Sequence, residues 1–128
     1  MTPSNFVLNV LSENLTEIPE ISVEHIHTFF IPETETATDV PILVISDLPV
    51  IREDYGNDNP VDTVKGVQII IYYPQKYFDG DMESIESRIK STLLKNRIRC
   101  FSDAGHVITP DTQNIINTLK FNYVKEAN

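Results

Sequence analysis

GVQIIIYYP, residues 66–74, is an apolar run of strand length closed by a glycine and a proline. Its apolar residues follow one another instead of alternating, the pattern of a strand covered on both faces. PILVISDL (41–48), bounded by Pro41 and Pro49, repeats that pattern. A chain of 128 residues is the size of one domain, so one sheet built on these two strands is the economical expectation. Helices of the same chain can cover one face, which leaves another subunit as a candidate cover for the second.

Upstream of the stronger run lies EDYGNDNPVD (53–62), with four acidic side chains. An EF-hand loop counted from Asp54 requires a glycine at its sixth position, and Gly56 falls three places too early. Gly56-Asn57 and Asn59-Pro60 are turn dipeptides, because Gly and Asn tolerate positive φ and Pro presets its own. The stretch therefore reads as an acidic turn leading into the strand, and Asp79-Gly80-Asp81 beyond it as another turn.

Asp81 caps an amphipathic helix over 82–96, in which Met82, Ile85, Ile89 and Leu93 form one apolar stripe. Glu86 and Lys90 stand at i,i+4 on what reads as its exposed face. RIRCF (97–101) alternates as a strand does, SDAG (102–105) reads as a turn, and HVITPDT (106–112) as an extension of that hairpin. NIINTLKFNYVKE (114–126) sets Leu119, Phe121 and Tyr123 against Lys120 and Asn122, a half-exposed final strand. Toward the N-terminus, Thr2-Pro3 suits a helix start, and Phe6, Val7, Val10, Leu11 and Leu15 carry a helix over 3–16. ISVEHIHTFFIP (21–32) reads as a strand in its second half and ETETATDVP (33–41) as an exposed loop. The expectation is a single α+β domain over 1–128, with a mostly antiparallel sheet and helix 82–96 within 21–125 and the other helix preceding them.

Composition narrows the function. No apolar run approaches the roughly eighteen residues of a membrane span. The N-terminus lacks a basic leader, so export by a signal peptide is not expected. Cys100, the single cysteine, fits a reducing compartment and reads as a small core hydrophobe. The net charge is −9, and residues 1–64 hold twelve Asp or Glu against one cation, Arg52. Such a chain repels polyphosphate, which argues against gripping nucleic acid. The second half carries nine Lys or Arg against seven acids, so head-to-tail contacts between copies would be matched in charge.

Chemistry is scarce. His25 and His27 could share a zinc ion with a third ligand, yet no paired Cys or His stands at finger spacing, and Cys100 and His106 are remote. Structural histidines satisfied by neighbours are the simpler reading. There is no G-x-S-x-G elbow and no glycine-rich phosphate loop, so no catalytic, cofactor-binding or metal-ligating residue is assigned.

Taken in order, FFIPE (29–33), PILVISDL, YGNDNPVDTVKGVQIIIYY (55–73), a helix, and RIRCFSDAGHVITPDTQNIINTLKFNY (97–123) resemble a domain-of-unknown-function family of siphophages infecting Gram-positive bacteria, regarded as tail terminator or tail-completion proteins. The resemblance covers about residues 21 to 125. It implies an α+β subunit of a ring, hexameric in such proteins, at the neck end of a virion tail assembled in the host cytoplasm. Its implied partners are further copies of itself, the major tail tube protein and a head-completion or connector protein. DNA would pass through without being specifically bound, no membrane would be involved, and no enzyme activity or cofactor is implied. On this reading Asp54, Tyr55, Asn57, Asp58 and Asp62 of the 52–66 loop are contact candidates, together with the 33–40 loop. Lys90, Lys95, Arg97 and Arg99 are basic counterparts for a neighbour's acids. Two other classes remain open: an acidic mimic of DNA that blocks a host protein, and a metal-dependent hydrolase using His25, His27 and an acidic loop.

Overall fold

The computed structural model describes residues 1–35, 39–49, 52–56, 59–74, 81–110 and 114–126, with 52–56, 59–62 and 126 defined by their backbone pairing. Among these are two α-helices, α1 (Pro3–Glu13) and α2 (Met82–Lys95). The strands are β1 (Ile26–Thr28), β2 (Ile42–Asp47), β3 (Arg52–Gly56), β4 (Asn59–Tyr73), β5 (Arg99–Asp103), β6 (Val107–Ile108) and β7 (Ile115–Glu126). All seven join one sheet, and the fold is α+β.

The sheet is laid out in five rows. β4 and β7 are the long central pair, in antiparallel register from Asp62↔Glu126 to Tyr73↔Ile115. β2 and β3 lie end to end along the far edge of β4, the first opposite Val67–Tyr72 and the second opposite Asn59–Val64. β5 and β6 lie end to end along β7 in the same way. β1 closes the other edge, parallel to β2 with Ile26 opposite Leu43. Parallel neighbours need a long crossover, and here it is the segment from Phe29 to Pro41.

Two expectations are corrected by this layout. Residues 53–56 and 59–62 of the acidic stretch are not loop but paired strand, β3 and the start of β4. The stretch's mostly polar residues carry no alternation of hydropathy by which a strand could be read. SDAG does not reverse the chain either. The register shifts between Cys100 and Ser102, and β6 then resumes along β7 in the same direction as β5. Gly105 makes the detour possible, with φ of +87°. Its N–H is held by Asp103 Oδ1 at 3.1 Å and Asn117 Oδ1 at 3.0 Å.

Both helices pack on one face of the sheet. Leu43, Ile45, Val67, Ile69, Ile71, Tyr73, Leu119 and Phe121 point inward, in agreement with the period of two, and meet Val7, Val10 and Leu11 of α1 and Ile85, Ile89 and Leu93 of α2. The helix ends are fixed as the sequence suggests. Thr2 Oγ1 accepts from the Asn5 N–H at 3.2 Å and Asp81 Oδ1 from the Ser84 N–H at 3.0 Å. α1 stops at Glu13, short of residue 16, and Leu15–Glu17 form a 3-10 turn. Asp47 at the end of β2 reaches the first turn of α1, accepting from the Ser4 N–H at 2.9 Å and from the Ser4 hydroxyl. A carboxylate there satisfies an orphan donor and faces the positive end of the helix dipole.

Candidate protein interface

Two buried carboxylates, Glu35 and Glu86, fasten elements of the fold to one another. Glu35 lies in the crossover with its side chain only 5% exposed. It is gripped by His25 Nδ1 at 2.9 Å and His27 Nε2 at 2.7 Å. The two histidines are thus engaged by a carboxylate and close the base of the loop that carries Phe29, Phe30 and Ile31. Among the described residues no group of three or more His, Cys, Asp or Glu is placed to hold a metal ion.

A second fastener contains a correction. Glu86 does not lie on an exposed face: it is buried and accepts from the Tyr73 hydroxyl at 2.5 Å, and its Oε2 stands 2.7 Å from His106 Nε2. The cluster pins the β5–β6 detour to α2 and to the end of β4. Beside it Lys90 donates to Asp103 Oδ2 at 2.7 Å. That bond raises the Lys90 pKa and lowers the Asp103 pKa, with Asn117 and the Gly105 N–H adding to the second effect. Glu83, Ser87 and Gly105 complete the walls of a shallow groove over these groups.

The candidate contact residues fall into three groups. Asp54 and Tyr55 are in β3 and Asp62 is in β4, all on the hairpin arm, whereas Asn57 and Asp58 lie outside the described residues. Lys90 and Lys95 already have partners in their own chain, Asp103 at 2.7 Å and Glu17 at 3.4 Å. Arg97 and Arg99 are exposed and have no ion pair among the described residues. The structure brings these last two together at the end of α2 and the start of β5. With Leu94, Asn122, Tyr123 and Val124 they line a hollow of about 450 Å³. Burial on the far side of that hollow raises the Tyr123 pKa.

Apolar exposure was the signal missed. Phe29, Phe30 and Ile31 are 54%, 70% and 39% exposed, although FFI reads in sequence as the end of a strand. β1 stops at Thr28 because Phe29 takes φ of +71°, a left-handed conformation that no strand continues through. Leu94 and Val124 are each more than half exposed. On the sheet face opposite the helices, Ile42, Val44, Ile70, Tyr72 and Ile116 stand in adjacent cross-strand rows, Val44 buried at 6% exposure and the other four half-buried. No described helix covers that face, and the residues between its apolar rows and the arm are polar or small: Ser46, Gln68, Lys120 and Gly66. Phe29, Phe30, Leu94 and Val124, each more than half exposed, are candidate docking positions.

Comparison with known families follows from this geometry. A family model described as a protein of unknown function, DUF806, matches residues 3–125. No curated protein matches the chain.

Proposed function

The chain belongs to the DUF806 family, and from that premise we propose that it is a structural subunit of a phage tail, a terminator or completion protein acting through protein surfaces. Copies of the chain would form a ring, hexameric as in the tail proteins it resembles, seated on the end of the tail tube. One side would meet the tube protein and the other the head-completion protein.

The observation that carries this reading is the one-sided construction. Both helices cover one face of the sheet, and the apolar rows of the other face have no helical cover among the described residues. Those rows are already half-buried, and a neighbour would remove what remains exposed from water at a gain of about 25 cal/mol per Å². Charge adds support. Before Arg52 the chain has no Lys or Arg, so a ring of such subunits would let DNA slide past without holding it. Glu17, Glu20 and Glu35 are tied to Lys95, Arg88 and the two histidines, which removes them from any free row of charges shaped like a phosphate backbone.

Deleting the gene from its phage and imaging the particles tests the reading. Overlong tails, or tails separated from heads, are expected, with rescue by the gene supplied in trans. Tails of normal length joined to full heads would overturn it.

A further inference from the structure

We propose that the Phe29–Phe30–Ile31 projection of one copy seats in the notch between Leu94, Arg97, Arg99 and Val124 of a second copy. The inference deepens the ring reading and rests on its claim that the chain meets copies of itself.

Backbone conformation singles out both halves of this contact. Among the described residues, Phe29 at φ +71° and Arg97 at φ +63° are the non-glycine positions with left-handed backbone. Such conformations are disfavoured for residues with a Cβ and cluster where a surface has a task. Phe29 turns the chain out of β1, so that Phe29 and Phe30 stand away from the sheet, and Glu35 with His25 and His27 clamps the loop at its base. Arg97 occupies the position just after α2, where the Arg97 N–H bonds the Leu94 carbonyl and the Ile98 N–H bonds the Leu93 carbonyl, each at 2.9 Å. Glycine is the usual residue for that helix ending. An arginine in its place adds an exposed cation to the rim of the notch.

The notch is also an unfinished edge. β5 begins at Arg99 opposite Asn122, so β7 runs on through Tyr123 and Val124 with no strand beside it on that side among the described residues. That gap leaves the hollow open at its edge, so that an arriving apolar side chain can enter it. Met1, Phe6 and Tyr123 line a second, mainly apolar hollow on the other side of Val124. Phe6 stacks on Tyr123 with ring centroids 4.8 Å apart.

Charge and position point to a second copy as the occupant. Exposed Glu24 and Glu33 flank the projection in sequence, whereas Arg97 and Arg99 line the notch and Lys125 the hollow beside it. The projection leaves the β1 edge of the sheet and the notch lies at the β5 edge, at opposite ends of the strand order. A chain cannot satisfy its own pair, and a repeated contact of this kind is heterologous, closing into a ring or extending as a filament.

The test is disulfide trapping in the full chain with Cys100→Ala. A double variant, Phe30→Cys with Val124→Cys, should give a ladder of multiples on a non-reducing gel. A mixture of the two single variants should stop at the dimer. Phe30→Cys with Glu83→Cys, on the far end of α2, should stay monomeric. Phe30→Ser, an exposed change that leaves the core intact, should weaken self-association in sedimentation at least tenfold. Failure of the double variant to cross-link above that control would overturn the contact. Multimers unaffected by Phe30→Ser would overturn it as well, while leaving the tail reading standing. Specific cross-linking combined with normal tails in the deletion phage would do the reverse.

Discussion

Glu86 carries more structure than its place in the sequence suggests. It stands at a position of α2 that i,i+4 reasoning pairs with Lys90 on a solvated face, and instead it accepts from Tyr73 and meets His106 in a buried site. Those partners are 13 and 20 residues away, beyond the reach of any helical pattern. Removing it should leave the Tyr73 hydroxyl without its shortest acceptor and cost about 2–3 kcal/mol. Urea unfolding of Glu86→Ala against Glu86→Gln is the measurement, with the amide, which keeps an acceptor, retaining most of the stability. Arg97 makes the opposite case. Glycine is free of the Cβ strain at left-handed φ, so Arg97→Gly should raise stability by about 0.5–1 kcal/mol in the same assay. It should also weaken self-association in sedimentation, a divergence that a purely structural arginine would not produce. His25 and His27 were legible as satisfied histidines, but the identity of Glu35 as their partner was not, since a loop acid carries no periodic mark.

Elements with one buried face were easy to read. α2 announces itself by its stripe and by Asp81, and β7 by its alternation, and both occur where those patterns place them. Elements without a clear hydropathy pattern were not. The arm of β3 and early β4 carries mostly polar residues, and its pairing rests on a register that only the third dimension supplies. The β5–β6 row looks like a hairpin because Gly105 resembles a reversal; its detour is held by Asp103 and Asn117. Lys90 joins that row to α2, and its pH dependence has a definite sign. The Asp103 pKa is lowered in the fold, so its contribution is present above the ordinary carboxylate range near ~3.9 and fades as pH falls toward the folded value. The Lys90 pKa is raised, so its contribution is complete below about 10.4 and is lost only as pH rises through the folded value. Asp103→Asn should therefore flatten the acid limb of a plot of thermal midpoint against pH. At neutrality it should cost less than about 1 kcal/mol, because both side chains are more than a third exposed and screened by water.

For the whole molecule, the two apolar runs do form adjacent strands of one sheet, with both helices on one of its faces. Which face stays open was not legible, because successive apolar residues hide the alternation that assigns inside and outside. Leu43, Ile45, Ile69 and Ile71 went inward and Ile42, Val44 and Ile70 outward, a partition set by where α1 and α2 dock. The projection at Phe29 was equally hidden, since aromatic residues beside a strand look like more strand until φ reverses. β7 has a further consequence, for the order in which the protein comes into being. It follows every other element in this chain, yet both β4 and the β5–β6 row hang on it. While the ribosome is still making residues 115–126, β4 lacks its longest partner and the β5–β6 row has none, and the sheet must wait for a closure that spans more than forty residues of β4-to-β7 separation. The notch at Tyr123 and Val124 exists only once β7 has been made, so the proposed contact with a second copy would have to follow the closure of the sheet.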